Sequence, residues 1–353
     1  MRILSVVGAR PQFVKLAPVS RALSGVAEHL VVHTGQHYDE LMSDVFFADL
    51  GIPEPNVNLA VGSGSHGAQT GAMISALESV LQAHQPDWVL VYGDTNSTLA
   101  AAIAAVKLGL PLAHLEAGLR SFNRAMPEEH NRVLTDHAAD LCLAPTELAI
   151  RHLSREGLAA RSVLVGDVMT DVLYIVRDRV LAEPPPLPWN DSDSVVATIH
   201  RAENTDDPAQ LAAVIDAIAG VDRPVRLLAH PRLRAAAHRA GVVLEREGIT
   251  LHDPLPYPQL IAAVMRSVGV VTDSGGLQKE AFLLRRLCTT VRAETEWVET
   301  VESGWNTLVG SRLRDLPAEV SRAMPPEPVD NPYGDGHAAE RVAAALRDAQ
   351  SRR

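Results

Sequence analysis

The chain has 353 residues, a formal charge of −11, and 46% hydrophobic and 21% charged residues. That length exceeds one ordinary core, so two domains are expected. The acidic balance excludes nucleic acid and an anionic membrane as main partners, yet allows a small anion held by a few arginines and helix N-termini.

The two cysteines, Cys142 and Cys288, each lie in an apolar run and read as buried free thiols. The first residues lack the length and cleavage pattern of a signal peptide. The Ala-rich segment 99–108 contains Lys107 and is too short to cross a bilayer. A cytoplasmic protein without a membrane partner is expected.

In chain order, residues 3–7, 30–33, 88–92, 112–115, 141–143 and 163–165 read as strands, most of them apolar on both faces as a buried parallel sheet requires. Helical patterns at 18–23, 69–84 and 98–107 lie between them. Four prolines within residues 184–188 cannot be helix interior or central strand, so a linker or an exposed entry into a second unit falls there. Alternation then restarts, with strands expected at 195–199, 225–229, 250–252, 269–272 and 289–291 and a last helix at 336–349. The pattern implies doubly wound parallel α/β sheets, with ligands at strand carboxyl ends in a cleft between two domains.

Several clusters carry chemistry. Gly8-Ala-Arg-Pro-Gln12 ends the first strand and opens a helix; it reads either as a plain turn or as an anion site within reach of Arg10 and Lys15. Asp94, after the strand 88–92, either caps the next helix or is freed by a cap at Thr95, Asn96 or Ser97. The stretch from His114 to Thr135 holds Glu116 in a strand-to-loop position that no capping pattern explains. Pro127 favours a helix start, placing Glu128 and Glu129 in a first turn where they suit the helix dipole. Glu128, Arg132 and Asp136 share one helical face at spacings of four, either as a solvated ion-pair ladder or as part of a site.

In the second half, His200 and His230 each follow an expected strand. Ser274, Gly275 and Gly276 form a small-residue loop that can offer N–H groups to a phosphate, and Glu280 follows on the next helix. Arg292 stands near Glu294 and Glu296. No His-Glu-x-x-His or paired-cysteine pattern occurs, and no Gly-x-Gly-x-x-Gly follows an expected strand, so neither a metal nor a tightly bound NAD is expected.

Taken together, Gly8–Lys15, Gly93-Asp-Thr-Asn-Ser97, His114–Arg132, His200-Arg-Ala-Glu-Asn204, Thr272–Ala281, Thr295-Glu-Trp297 and Asn331–Arg341 resemble the non-hydrolysing UDP-N-acetylglucosamine 2-epimerases over nearly the whole chain. The resemblance implies a GT-B-like fold of two Rossmann-like domains with an interdomain active-site cleft. They would cover residues 1–168 plus 332–353, with a returning C-terminal helix, and residues 169–331. It also implies a homodimer that reversibly converts UDP-GlcNAc to UDP-ManNAc without a cofactor. UDP leaves C1 as the C2 proton is removed, and both return to a 2-acetamidoglucal intermediate. By this resemblance Asp94, Glu116 and Glu128 are acid/base groups. His200, Arg10, Ser274 and Gly275 hold the diphosphate, with Gly276 beside them, and Glu280 meets the ribose. Lys15, Arg132 and His230 hold sugar or phosphate, and Arg292 joins the substrate-binding set.

Departures from the family pattern bear on regulation and substrate. Many members are activated by a second substrate molecule held by Gln-His-x-Gln and Arg-Gln motifs; here the stretches read Gln36-His-Tyr-Asp39 and Ala68-Gln69. An added acid and a missing guanidinium weaken a site for an anionic nucleotide sugar. These variants resemble a sister group acting on UDP-2,3-diacetamido-2,3-dideoxyglucuronate. Leu284-Arg-Arg-Leu287 also replaces a Leu-Gly-Lys-Pro loop, which alters a turn. Competing readings are a hydrolysing epimerase that releases ManNAc and UDP, a GT-B glycosyltransferase, and a sugar-nucleotide-binding protein without turnover.

Overall fold

The computed structural model describes residues 1–36, 54–328 and 331–353. They divide into two compact units, residues 1–174 with 332–353, and residues 175–331.

In the first unit the described strands are β1 (Arg2–Val7), β2 (Glu28–His33), β3 (Val57–Asn58), β4 (Trp88–Tyr92), β5 (Leu112–Leu115), β6 (Leu141–Ala144) and β7 (Ser162–Leu164), in the order β3-β2-β1-β4-β5-β6-β7. All pairings are parallel. Strand alternation divides the core in two. Ile3, Val7, Leu90 and Tyr92 pack with Phe13, Leu16, Val342 and Leu346, whereas Leu4, Val6, Val89 and Val91 pack with Met73, Leu77, Leu81 and the alanines of the helix Asn96–Lys107. The C-terminal helix Ala338–Ser351 thus closes one face of this sheet. Its start is held by Asp171, whose carboxylate accepts from Ala338 N at 3.0 Å and Ala339 N at 2.7 Å, as an N-cap does.

The second unit holds β8 (Val195–Thr198), β9 (Val225–Leu228), β10 (Ile249–His252), β11 (Gly269–Thr272), β12 (Leu287–Thr290) and β13 (Asn306–Leu308), in the order β10-β9-β8-β11-β12-β13. These pairings are also parallel. Each sheet is built outward on one side and then restarted on the other. The reversal pairs are therefore β1/β4 and β8/β11, whose carboxyl ends are where doubly wound sheets bind ligands.

The structure corrects several expected boundaries. The first helix spans Arg10–Leu23 and runs through Pro18. Pro11 supplies the favoured start, and burial of Phe13, Val14, Leu16 and Ala17 outweighs the one backbone bond that Pro18 removes. Strands β3 and β13 escape a periodicity reading because they have two and three residues. Strand β12 begins two residues before the expected 289, with all four residues buried. The proline segment is not where the units divide: that point falls after Tyr174, and Trp189 is buried against Val196, Leu228 and Ala263. Both cysteines are free and buried, and burial pushes their thiols up to about 12.

Candidate functional site

In the first unit the carboxyl ends of β4 and β5 carry Asp94 and Glu116. Thr95, not Asp94, caps the helix Asn96–Lys107, its side chain accepting from Thr98 N, so the aspartate carboxylate is released from capping. Arg132 takes it instead, with Nε 3.1 Å from Asp94 Oδ2 and a second bond from the guanidinium terminus. Asn131 Nδ2 donates to the Asp94 carbonyl at 2.9 Å.

Glu116 adopts a left-handed backbone with φ +73°, unfavourable for any residue with a Cβ. Its carboxylate pairs with the Lys15 ammonium, both side chains being only 11–12% exposed. Burial pushes the Lys15 pKa down, but the adjacent Glu116 carboxylate more than offsets this and the lysine is held above its ordinary value. Gly93 makes room for the pair: a Cβ there would lie 3.2 Å from Glu116 Oε2 and 3.4 Å from Lys15 Nζ.

The helix Pro127–Ala138 separates the two glutamates of its first turn. Glu128 is exposed and makes no hydrogen bond or ion pair among the described residues. Glu129 is buried, and a helix-dipole role does not describe it. Its carboxylate accepts from Ser121 N, Ser121 Oγ and Phe122 N, each at 2.9 Å, and meets Arg132 at 3.1 Å. Burial works against that charge, yet these donors hold the carboxyl below its ordinary value. The ladder expected from spacing does not form, because Arg132 turns to Asp94 and Glu129 while Asp136 turns to His114 and Arg120.

The turn at Gly8 is not an open anion cradle. Gln12 Oε1 already accepts from Gly8 N at 2.8 Å and Ala9 N at 3.0 Å. Glycine is required there by close approach, since a Cβ would lie 2.1 Å from both Ser97 Oγ and Thr34 Oγ1. Arg10 is exposed in the first turn of the helix that follows.

In the second unit the ends of β8 and β11 bring His200 and Asp273 together, with Nδ1 2.9 Å from Oδ1. Asp273 is fully buried and also accepts from His200 N, Arg201 N and Asn204 Nδ2. Burial opposes its charge, but His200 and these donors hold the carboxyl below its ordinary value. His230 is exposed and caps the helix Pro231–Ala240 through Nδ1, its ring 6.4 Å from that of His200.

Ser274 is the N-cap residue of the helix Gly275–Leu283 without a side-chain capping bond, and Gly276 faces open space. Gly275 has a packing reason of its own: a Cβ would lie 2.5 Å from Glu296 Oε1. Buried Arg292 donates to the other Glu296 oxygen at 2.9 Å. Glu280 accepts from Tyr257 Oη at 2.8 Å, and burial raises its carboxyl above the ordinary value.

Sequence reasoning passed over Asp273, Tyr257, Asn131 and Gln12. Only Asp273 left a signal, as the acid beside Ser274 at a strand end. The others act through partners at least 23 residues away or through a folded-back amide.

Two all-parallel doubly wound sheets, with carboxylates and cations at the reversal point of one and a His–Asp pair beside a glycine-started helix in the other, make this an α/β protein. The family model for UDP-N-acetylglucosamine 2-epimerase matches residues 21–347, and the chain belongs to that epimerase family. It is 46% identical over 358 residues to the UDP-2,3-diacetamido-2,3-dideoxy-D-glucuronate 2-epimerase of Pseudomonas aeruginosa, covering 98% of this chain and 99% of that protein. It is 38% identical to a UDP-N-acetylglucosamine 2-epimerase of Methanocaldococcus jannaschii, covering 98% and 99%. The crystal structure of a Methanocaldococcus jannaschii UDP-GlcNAc 2-epimerase in complex with UDP-GlcNAc and UDP has the same GT-B-like fold class, with a TM-score of 0.83 at 36% identity over 99% of this chain and 100% of that one. The Neisseria meningitidis enzyme bound to UDP-GlcNAc gives a TM-score of 0.84 at 27% identity, covering 99% and 100%. Among the described residues no helix is long and apolar enough to cross a membrane.

Proposed function

We propose that the protein inverts C2 of a UDP-activated 2-acetamido sugar by eliminating and re-adding UDP. The observation that carries this reading is the pair of cation-bound carboxylates at neighbouring strand ends, Asp94 with Arg132 and Glu116 with Lys15. A carboxylate takes the C2 proton, the C–H electron pair becomes the C1=C2 bond, and the C1–O pair leaves with the β-phosphate of UDP. Return of the proton to the opposite face requires a second acid/base group, and two carboxylates on adjacent strands supply that chemistry. Glu128 is the third acid/base candidate. Lys15 and Arg132 hold the neighbouring carboxylates in place.

His200, fixed at Nδ1, offers Nε2 to the diphosphate. Ser274, Gly275 and Gly276 add the N-terminus of their helix, and Arg10, His230 and Arg292 add positive or donor groups. Glu280 and Tyr257 suit the ribose hydroxyls. No step calls for a metal or redox cofactor.

UDP-2,3-diacetamido-2,3-dideoxyglucuronate is the substrate we favour. The 46% identity with the Pseudomonas aeruginosa enzyme supports it, as does the replacement of the second-substrate motif by Ala68-Gln69. Gln69 is buried and bonds the Gly62 carbonyl at 2.8 Å and Asn96 at 2.9 Å, which engages its amide internally. Of the stretch 36–39, only Gln36 lies within the described residues. UDP-GlcNAc is the second reading, supported by the relatives of that name.

Incubation of each nucleotide sugar with the protein in deuterated water, followed by NMR, tests the proposal. Deuterium at C2 together with the 2-epimer supports it. Release of free sugar and UDP as the sole product points to hydrolysis. Absence of C2 exchange with both sugars refutes the reading.

A further inference from the structure

His114 is fully buried between two acceptors. Its Nε2 lies 2.7 Å from the Gly93 carbonyl and its Nδ1 lies 2.7 Å from Asp136 Oδ1. A carbonyl can only accept, so Nε2 carries a proton. Asp136 is held in its charged form: burial opposes the charge, but His114 and Arg120 outweigh it. Nδ1 faces that carboxylate, so both ring nitrogens are engaged.

The charge is balanced locally. Asp136 Oδ2 takes Arg120 at 2.7 Å, and Arg120 forks onto Glu156 at 2.8 and 2.7 Å. No solvated surface role explains a four-member polar chain whose central members, Asp136 and Arg120, have enclosed side chains. A neutral core of similar volume would be as stable.

The geometry of its outer bonds gives it a use. Through Gly93, His114 grips the turn that presents Asp94. Through Oδ2, Asp136 accepts from Gly118 N at 3.0 Å and so grips the far end of the turn that presents Glu116. That second turn carries the left-handed backbone of Glu116 and is otherwise tied to Leu143 O by Glu116 N and Ala117 N at 3.0 and 3.2 Å.

We propose that the buried, hydrogen-bonded His114–Asp136 pair is a positioning device for C2 proton transfer, locking the Asp94 and Glu116 turns to each other. Neither residue touches substrate in this account. It rests on the assignment of Glu116 as an acid/base group made above.

The test compares His114→Asn, His114→Gln and Asp136→Asn with Glu116→Gln. Each is assayed for C2 deuterium incorporation, kcat, KM, UDP affinity and thermal midpoint, using whichever of the two UDP-sugars the wild type epimerises. Asparagine places a donor toward Asp136 but cannot reach Gly93, whereas glutamine places its amide near Nε2. His114→Asn is expected to lower kcat by about 10- to 100-fold, the scale of a charge-assisted bond, with KM and UDP affinity little changed. His114→Gln should recover part of that loss. Asp136→Asn, which keeps an acceptor for Gly118 N while discharging the pair, should lower kcat even if His114→Asn does not fold.

A wild-type kcat in folded His114→Asn and Asp136→Asn overturns the proposal. So does a loss of activity that merely tracks the folded fraction. Exchange that survives in Glu116→Gln overturns the assignment of Glu116, and the positioning role with it. Exchange lost in Glu116→Gln yet intact in the His114 and Asp136 variants overturns the positioning role alone.

Discussion

The Nδ1 of His200 lies 2.9 Å from a carboxylate oxygen of Asp273, and that carboxylate is fully buried. Asp273 also accepts two backbone N–H groups from the loop that carries the histidine, His200 N at 3.0 Å and Arg201 N at 2.9 Å. One side chain therefore fixes both the loop and the ring, leaving Nε2 as the outward-facing nitrogen. Asp273→Asn removes the carboxylate that holds Nδ1 and can present an amide nitrogen to it. The expected result is a fall in kcat/KM of about 10- to 100-fold, the scale of a hydrogen bond to a charged group, together with weaker UDP binding by calorimetry. Unchanged kcat/KM in a variant that melts normally would remove His200 from the diphosphate assignment.

Arg285 has a φ of +56°, in the left-handed region that favours glycine. The chain tolerates this because the side chain is well used. It donates to the Phe282 carbonyl at 2.8 Å, pairs with Glu327 at 2.8 Å and lies over the rings of Phe282 and Trp305. Arg285→Ala keeps the backbone penalty and loses those contacts, while Arg285→Gly loses them but relieves the strain. Urea unfolding should rank the alanine variant below the glycine variant by about 1 kcal/mol. An alanine variant equal to or above glycine would contradict the backbone argument.

Such relations explain which parts of the molecule a sequence can reveal. Strands β1, β4, β5 and β11 are legible because both faces are buried, so each is mostly apolar. The release of Asp94 from capping was foreseeable because Thr95, a residue that caps well, stands next to it. Glu129 was not legible. Its partners Ser121 and Phe122 belong to a loop whose course depends on a positive φ at Phe122, which no periodicity encodes. His200 and Asp273 are 73 residues apart, and His114 and Asp136 are 22 apart. Each pair is joined only when strand ends and helices are placed, so spacing along the chain is silent about them.

Acid should weaken the fold through three named carboxylates. Glu129, Asp136 and Asp273 are each pushed up by burial but held below the ordinary value by donors and cations. The folded state therefore binds these protons less tightly than the unfolded chain. The stability they contribute is complete above the unfolded carboxylate range near about 4 and drains away as pH falls through the lower folded values. Asp171 and Glu280, raised mainly by burial, act oppositely and cost stability as pH rises past that range. Urea midpoints measured from neutral pH downward should fall, and Asp136→Asn should fall less steeply than wild type. A parallel decline in both proteins would show that Asp136 contributes nothing to the acid transition.

Glu116 combines an unfavourable backbone, φ +73°, with a carboxylate bound to Lys15. Strain at such a position persists where the side chain is needed, which separates what stability prefers from what turnover requires. Glu116→Gln and Glu116→Gly both discharge the pair with Lys15, so that loss cancels between them. Glutamine retains the left-handed penalty of about 1–2 kcal/mol. Glycine relieves it but gives back about 0.4–1 kcal/mol in unfolded-chain entropy. Glycine should therefore be the more stable of the two by roughly 0.5–1 kcal/mol, measured by chemical unfolding of matched samples. Both variants should lose C2 exchange by about 10²- to 10⁴-fold, the range for removal of an acid/base group. If the glycine variant unfolds first, the strain is absent in solution; if either variant exchanges at the wild-type rate, Glu116 does not carry the proton.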